Sequence, residues 1–175
     1  DNLGMFSINL SAQSLDDDNF LGFVIDLLDK TKIPADKICF EITESTAISN
    51  IISATRFMSI LRGMGCRFSL DDFGRGFSSY GYLKNLPVDY LKIDGTFVRD
   101  LANDDIDHAM VNSINQIGHT MGVQTIAEFV ETEETLEQLI HMGVDHVQGY
   151  QLGKPQPMWP DIQKTTKPTK VQVVN

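Results

Sequence analysis

Asp71 and Asp72 close a short apolar run, Phe68-Ser69-Leu70, and open a glycine-rich turn, Phe73-Gly74-Arg75-Gly76-Phe77-Ser78-Ser79-Tyr80. Neighbouring carboxylates at the end of a buried strand repel each other and lose hydration. Both stay ionised only beside positive charge, and a divalent metal is the simplest source of it. Gly74 and Gly76 allow left-handed backbone or close approach to a ligand, and Ser78 and Ser79 offer helix-capping oxygens. A purely structural reading, an Asx-type turn leading into a helix N-cap, fits the same residues.

The elements that must position this pair alternate along the whole chain. β-rich runs fall at 5–10, 38–43, 66–70, 90–93, 123–127 and 144–150, and helical spacing of apolar residues falls at 20–30, 51–64, 108–121 and 133–142. Gly65, Gly122 and Gly143 close three of the helices, and a shorter helix at 81–86 is stopped by Pro87. Strict alternation of this kind argues for a parallel sheet with crossover helices, open and doubly wound or closed as a barrel. Each strand ends polar: Asn9 closes the first, Glu41 and Glu44 the second, Asp71 and Asp72 the third, Lys92 and Asp94 the fourth, Glu128 and Glu131 the fifth and Gln148 the sixth. Polar residues at nearly every strand end favour the barrel over an open sheet, whose site gathers at one switch point. Eight strands at this spacing need about 240 residues, so a chain of 175 residues with six reads as an α/β, TIM-type (β/α)8 barrel lacking its first strands. The expected division is a barrel domain over 1–160 and an aperiodic tail over 161–175.

Composition narrows the function. Fourteen Lys and Arg against 24 Asp and Glu give a net charge of −10, which repels the phosphates of a nucleic-acid polymer. Cys39 and Cys66 lie in apolar runs without a CxxC pair and read as core thiols of a reducing compartment. No apolar run approaches the ~20 residues of a membrane span and no signal pattern opens the chain, so the expectation is a soluble cytoplasmic domain, with any anchor in segments upstream.

Brought to one rim, the strand ends would assemble as many as seven carboxylates, the amides of Asn9 and Gln148, and one lysine. His108, His119 and His141 fall on helices and His146 starts a strand, which argues against an imidazole zinc site. An all-oxygen set suits Mg²⁺ or Mn²⁺, and two such ions activate water and stabilise the oxygens of a phosphodiester. Lys92 alternates with Leu91 and Ile93, so it points into the barrel among acids. It is read either as a buried neutralising cation or as a cation holding water or phosphate. Glu41 and Glu44 have a structural alternative as acids at a helix N-terminus, Glu44 more so. Glu128 has no obvious local partner and reads as a ligand or general base. Glu131 has the simpler role of starting a helix, and Gln148 that of capping a loop beside Gly149.

At these residues the chain resembles the EAL family of cyclic di-GMP phosphodiesterases. The matching segments, in family order, are Asn9-Leu10-Ser11, Glu41-Ile42-Thr43-Glu44, Asp71 to Ser79, Leu91-Lys92-Ile93-Asp94, Ala127-Glu128-Phe129-Val130-Glu131, and Gln148-Gly149-Tyr150 leading to Lys154-Pro155. The resemblance implies a modified TIM barrel that hydrolyses cyclic di-GMP to linear pGpG with Mg²⁺ or Mn²⁺. It implies Asn9, Glu41, Asp71, Asp72 and Glu128 as metal ligands, and Glu128, Lys92 and Asp72 as catalytic residues. Lys92 would position water, and Glu44, Asp94, Glu131, Gln148 and Arg75 would bind substrate or support loops. A homodimer, linked in the family to the loop that Glu44 holds, and a sensory or diguanylate-cyclase-like domain upstream are the implied partners. One departure is plain: the Glu-Ala-Leu signature, with its metal-binding Glu, occurs nowhere in these residues. The resemblance therefore implies an active intact parent, and a segment that alone lacks one ligand. Two other classes compete. One is a module that binds cyclic di-GMP without turnover; the other is a barrel lyase or aldolase using Lys92 as a Schiff-base amine, which the surrounding acids oppose by keeping the amine protonated.

Overall fold

The computed structural model describes residues 4–75, 81–156 and 172–173. β1 (Phe6–Asn9) is followed by α1 (Ala12–Asp16) and α2 (Asp18–Thr31), and β2 (Ile38–Thr43) by α3 (Glu44–Ser49) and α4 (Ile51–Gly63). β3 (Arg67–Phe73) leads through a 3₁₀ turn at Leu83–Asn85 to β4 (Tyr90–Ile93). Beyond it come α5 (Gly95–Arg99), α6 (Asp105–Met121), β5 (Gln124–Ala127), α7 (Glu133–Met142) and β6 (His146–Val147).

The six strands lie side by side in chain order, each parallel to the next. A doubly wound sheet reverses its strand order at a switch point; this one never does, so the sheet curls into half of a barrel with helices outside. Strand alternation then sorts side chains. Phe40, Ile42, Phe68, Leu70, Leu91 and Ile93 face the helices and are buried there, while Glu41, Ser69, Asp71 and Lys92 face the concave side. Phe57 of α4 fills the layer between, edge-on to Phe40 and Phe68 at centroid distances of 6.2 and 6.4 Å and stacked on Phe20 of α2 at 6.2 Å.

Several elements differ from the sequence expectation. The short helices α1, α3 and α5 were not anticipated; each starts directly behind a strand, where Ser11, Thr43 and Asp94 accept hydrogen bonds from the backbone N–H of Ser14, Thr46 and Thr96. The helix expected at 81–86 is only the 3₁₀ turn, because Pro87 leaves it no room to propagate. The third strand continues past Leu70 to Phe73, and the strand expected over 144–150 shortens to His146–Val147 because the chain turns at 149–152. Within the expected aperiodic tail, β7 (Gln172–Val173) pairs antiparallel with β1, Val173 opposite Phe6. The expected capping by Ser78 and Ser79 lies outside the described residues. Among those residues no helix is long and apolar enough to cross a membrane.

Acids at the N-terminal ends of the strands are engaged by structure. The Asp89 carboxylate accepts from Arg62 and Arg67, both at 3.1 Å, and from the Phe68 N–H at 3.0 Å. Asp145 Oδ2 accepts from the Thr125 N–H at 2.8 Å and meets His119 Nε2 at 2.9 Å, tying β5 and α6 to the turn before β6. Burial alone would raise the Asp145 carboxyl, but the Thr125 N–H, the His119 ring and the Thr125 hydroxyl outweigh it and hold it below the ordinary aspartate value. A carboxyl lowered by folding contributes stability that is present above its unfolded value and is lost as pH falls through the lower folded value. Asp145→Asn is accordingly expected to cost about 2 kcal/mol near pH 7. The gap between variant and wild type should close below about pH 4, which thermal melts across pH measure; a gap independent of pH would refute the assignment.

Candidate active site

The third strand carries the feature that makes a site. Adjacent residues of a regular strand point to opposite faces, so Asp71 and Asp72 should diverge. Pairing of β3 with β4 instead shifts register between Leu70 and Phe73, and Asp72 sits at φ +55°, in the left-handed region that short polar side chains tolerate. The irregularity turns both carboxylates to one side. One oxygen from each of Asp71, Asp72 and Glu128 lies within 4.8 Å of the others.

Lys92 reaches up among these acids from β4. Its Nζ lies 2.8 Å from Glu128 Oε1, 3.0 Å from Asp71 Oδ1 and 3.3 Å from Glu41 Oε2, with the lysine side chain 2% exposed. Burial opposes its charge, but Glu128, Asp71 and Glu41 outweigh burial and hold the amine above the ordinary lysine value. It is therefore a fixed ammonium, which disfavours the Schiff-base reading. Glu128 is the responsive partner. Burial raises its carboxyl, Lys92 opposes the rise, and repulsion from Asp71 and Glu41 adds to it, so it is pushed up to about 7. Asp72 is also raised, by burial and by Asp71 and Asp94, against the pull of Arg75.

The surrounding residues hold this group in place. Glu44, at the start of α3 and 3% exposed, accepts from the Gly74 N–H at 3.1 Å and from the Tyr82 hydroxyl. It thus clamps the turn after β3, where Gly74 adopts φ +100°. Asp94, buried after β4, caps α5 through the Thr96 N–H at 2.7 Å and hydroxyl at 2.6 Å. Asn9 stands exposed at the end of β1, in register with Glu41. Gln148 is bound through its backbone, N–H to Ala127 O at 2.8 Å and O to the Val130 N–H at 3.1 Å. Arg75 and Glu131 are exposed, Glu131 at the turn just before Thr132, which caps α7.

Thus Glu41, Asp71, Asp72, Lys92 and Glu128 converge, Glu44 and Asp94 brace the loops behind them, Arg75 lies exposed at the edge where its charge reaches Asp72, and Glu131 stands apart on the surface. Sequence reasoning missed Tyr82, which the expected 81–86 helix had absorbed, and Phe129, whose left-handed backbone no motif announces. Asp71, Asp72 and Glu128 offer only oxygen, within reach of a single ion, a donor set that fits a hard divalent cation.

The sequence profile of the EAL domain matches residues 2–155. Cyclic di-GMP phosphodiesterase PdeB of Shewanella oneidensis is 47% identical over 152 residues, 87% of this chain and 18% of that protein. Cyclic di-GMP phosphodiesterase PdeA of Borreliella burgdorferi is 41% identical over 154 residues, 88% of this chain and 23% of that protein. The chain thus spans about a fifth of the length of the curated relatives it matches. Among solved structures, the PaMucR phosphodiesterase in its c-di-GMP complex superposes with a TM-score of 0.82 at 38% identity, over 87% of this chain and 62% of that one.

Methionine keeps much of the lysine volume but none of its charge. Lys92→Met is expected to lower unfolding stability by about 3–5 kcal/mol in metal-free buffer, because buried carboxylates lose their counter-charge. Mn²⁺ is expected to return part of that loss. Urea denaturation with and without Mn²⁺ measures both quantities, and an unchanged midpoint in metal-free buffer would contradict the central role of the ammonium.

Proposed function

The chain belongs to the EAL domain family, and from that membership we propose that the protein carrying it hydrolyses cyclic di-GMP to the linear dinucleotide pGpG in a divalent-metal-dependent reaction. The observation that carries this reading is the convergence of Lys92 with Glu41, Asp71 and Glu128, beside Asp72, at the C-terminal ends of consecutive barrel strands. In TIM-type barrels that is the end where chemistry is done.

Asp71, Asp72 and Glu128, with Glu41 and Asn9 beside them, would hold Mg²⁺ or Mn²⁺, two ions in the full reading. Bound there, divalent cations supply the charge that activates water and stabilises the attacking and leaving oxygens of a phosphodiester. Lys92 keeps a permanent positive charge where an anionic substrate must approach a chain of net charge −10. Its three N–H groups already meet three carboxylate oxygens within 3.3 Å, so it acts on water or phosphate through its charge and by holding Glu128, Asp71 and Glu41 in place. Glu128, 2.8 Å from that ammonium, is the group best suited to take the proton of the attacking water at a carboxylate oxygen. Glu44 acts at one remove, fixing the Gly74 turn and with it Asp72. Arg75 stands exposed beside that turn as a contact for substrate phosphate. The length of the relatives beyond the matched segment supports further domains in the same protein, and a homodimer belongs to the same proposal.

The test uses the full-length protein carrying this chain, incubated with cyclic di-GMP and Mn²⁺ or Mg²⁺, with products resolved by chromatography. pGpG is expected, EDTA should abolish it, and Glu128→Gln should lower kcat by about 100-fold or more. Tight binding without product would replace the enzyme reading by a sensor. Turnover unaffected by EDTA would remove the metal.

A further inference from the structure

Phe129, the residue directly after Glu128, breaks a backbone rule. Its φ is +55°, a left-handed conformation that is sterically unfavourable for a residue with a β-carbon. Its neighbours on both sides are tied down. The Glu128 N–H donates to Ile93 O at 3.4 Å, the Val130 N–H donates to Gln148 O at 3.1 Å, and Val130 O accepts from the Gln151 N–H at 3.0 Å. A glycine would take this φ without strain, so the turn itself gives no reason for an aromatic ring, least of all one that leaves the residue 46% exposed.

The ring's surroundings give the reason. It sits on Gly95, the first residue of α5, so closely that a β-carbon there would lie 2.1 Å from Phe129 Cδ2, 2.7 Å from Cγ and 2.9 Å from Cβ. Only glycine admits that seat. The Arg99 guanidinium carbon lies 4.5 Å from the ring centroid, a cation–π contact from the same short helix. α5 is in turn fixed by Asp94, whose charge bears on Asp72. The ring therefore joins the end of β5 to the end of β4, and these two strands bring Glu128 and Lys92 together.

We propose that Phe129 is a positioning residue: by seating on Gly95 and against Arg99 it holds the left-handed turn that aims the Glu128 carboxylate at Lys92 and Asp71. The proposal rests on the reading of Glu128 as a working member of a divalent-metal phosphodiesterase site. It assigns Phe129 no contact with substrate.

The experiment compares Phe129→Gly, Gly95→Ala, the double variant and Phe129→Tyr in the full-length protein. Phe129→Gly removes both ring and strain. Gly95→Ala leaves Phe129 in the chain but displaces its ring, at a first helical turn where alanine is otherwise favourable. Mn²⁺ affinity by calorimetry and kcat are each expected to fall about tenfold in both single variants, with KM changed less than about twofold. The double variant should be no worse than either single one, because both remove the same contact. Phe129→Tyr keeps the ring and its seat and should keep wild-type affinity. Unchanged Mn²⁺ affinity in both single variants, or losses that multiply in the double variant, would overturn the proposal. The Mn²⁺ measurement does not depend on turnover. A wild-type protein that binds Mn²⁺ but leaves cyclic di-GMP uncut would end the enzyme reading, while the variants would still decide the role of Phe129.

Discussion

Everything at the rim depends on one ammonium group among three carboxylates. Lys92 Nζ within 3.3 Å of Glu41, Asp71 and Glu128, in a side chain 2% exposed, is an arrangement in which no member is tolerable alone. A lone buried lysine would lose its proton, and clustered buried acids would gain one. Together the ammonium and the carboxylates offset one another, and they come from β2, β3, β4 and the residue directly after β5, so the arrangement also requires the sheet to curl as it does. The balance is incomplete. Three carboxylates against one ammonium leave the cluster negative, and Asp72 adds to the excess. Glu128 and Asp72 have raised carboxyls, chiefly through burial, with repulsion from the neighbouring acids adding to the rise. A divalent cation complements that remaining charge, which is why the protein's own electrostatics, rather than residue types alone, point to metal.

The two ends of the barrel treat acids in opposite ways. At the N-terminal ends of the strands, Asp89 and Asp145 have arginine, histidine and backbone N–H groups arranged around them and act as struts. At the C-terminal ends the acids crowd one another and share a single lysine. The donors around Asp145 lower its carboxyl and stabilise the fold, whereas burial together with crowding raises that of Glu128 and leaves a group ready to exchange a proton or take up a cation. Glu44 belongs with the struts despite its place in a chemical motif. Both its oxygens are occupied by the loop it holds.

Much of this was legible before any coordinates. Alternation of Tyr90-Leu91-Lys92-Ile93 is enough to turn Lys92 away from the helices, and polar residues closing every strand are enough to prefer a barrel. What was not legible depends on contacts between distant segments. The 81–86 stretch has helical composition, but Pro87 and the Tyr82–Glu44 bond fix it as a turn. The last strand stops early because residues 148–151 bond to the Val130 backbone instead of continuing the ladder. α1, α3 and α5 carried a usable signal in Ser11, Thr43 and Asp94, capping residues that reasoning from apolar periodicity alone passes over. The irregularity in β3 carried none, since a period of two read through Asp71 and Asp72 sends them apart.

That irregularity and the turn at Phe129 belong together. Among the described residues three other than glycine have positive φ: Lys32, Asp72 and Phe129. Lys32 ends α2 in the ordinary way of a helix C-cap. The other two flank the cluster, one at the end of β3 and one just beyond β5, and both do what a regular strand cannot. The left-handed residue at 72 brings a second carboxylate to the side of the first, and the one at 129 lets the chain leave the sheet immediately behind Glu128. Strain of this sort persists only where neighbours over-determine the conformation. Here the neighbours are identifiable: Glu44 holding the turn after Asp72, and the backbone of α5 beneath Phe129. The rim is thus stiff where a cluster of like charges would otherwise spread, and the strands supply the acids while the loops behind them keep the acids close.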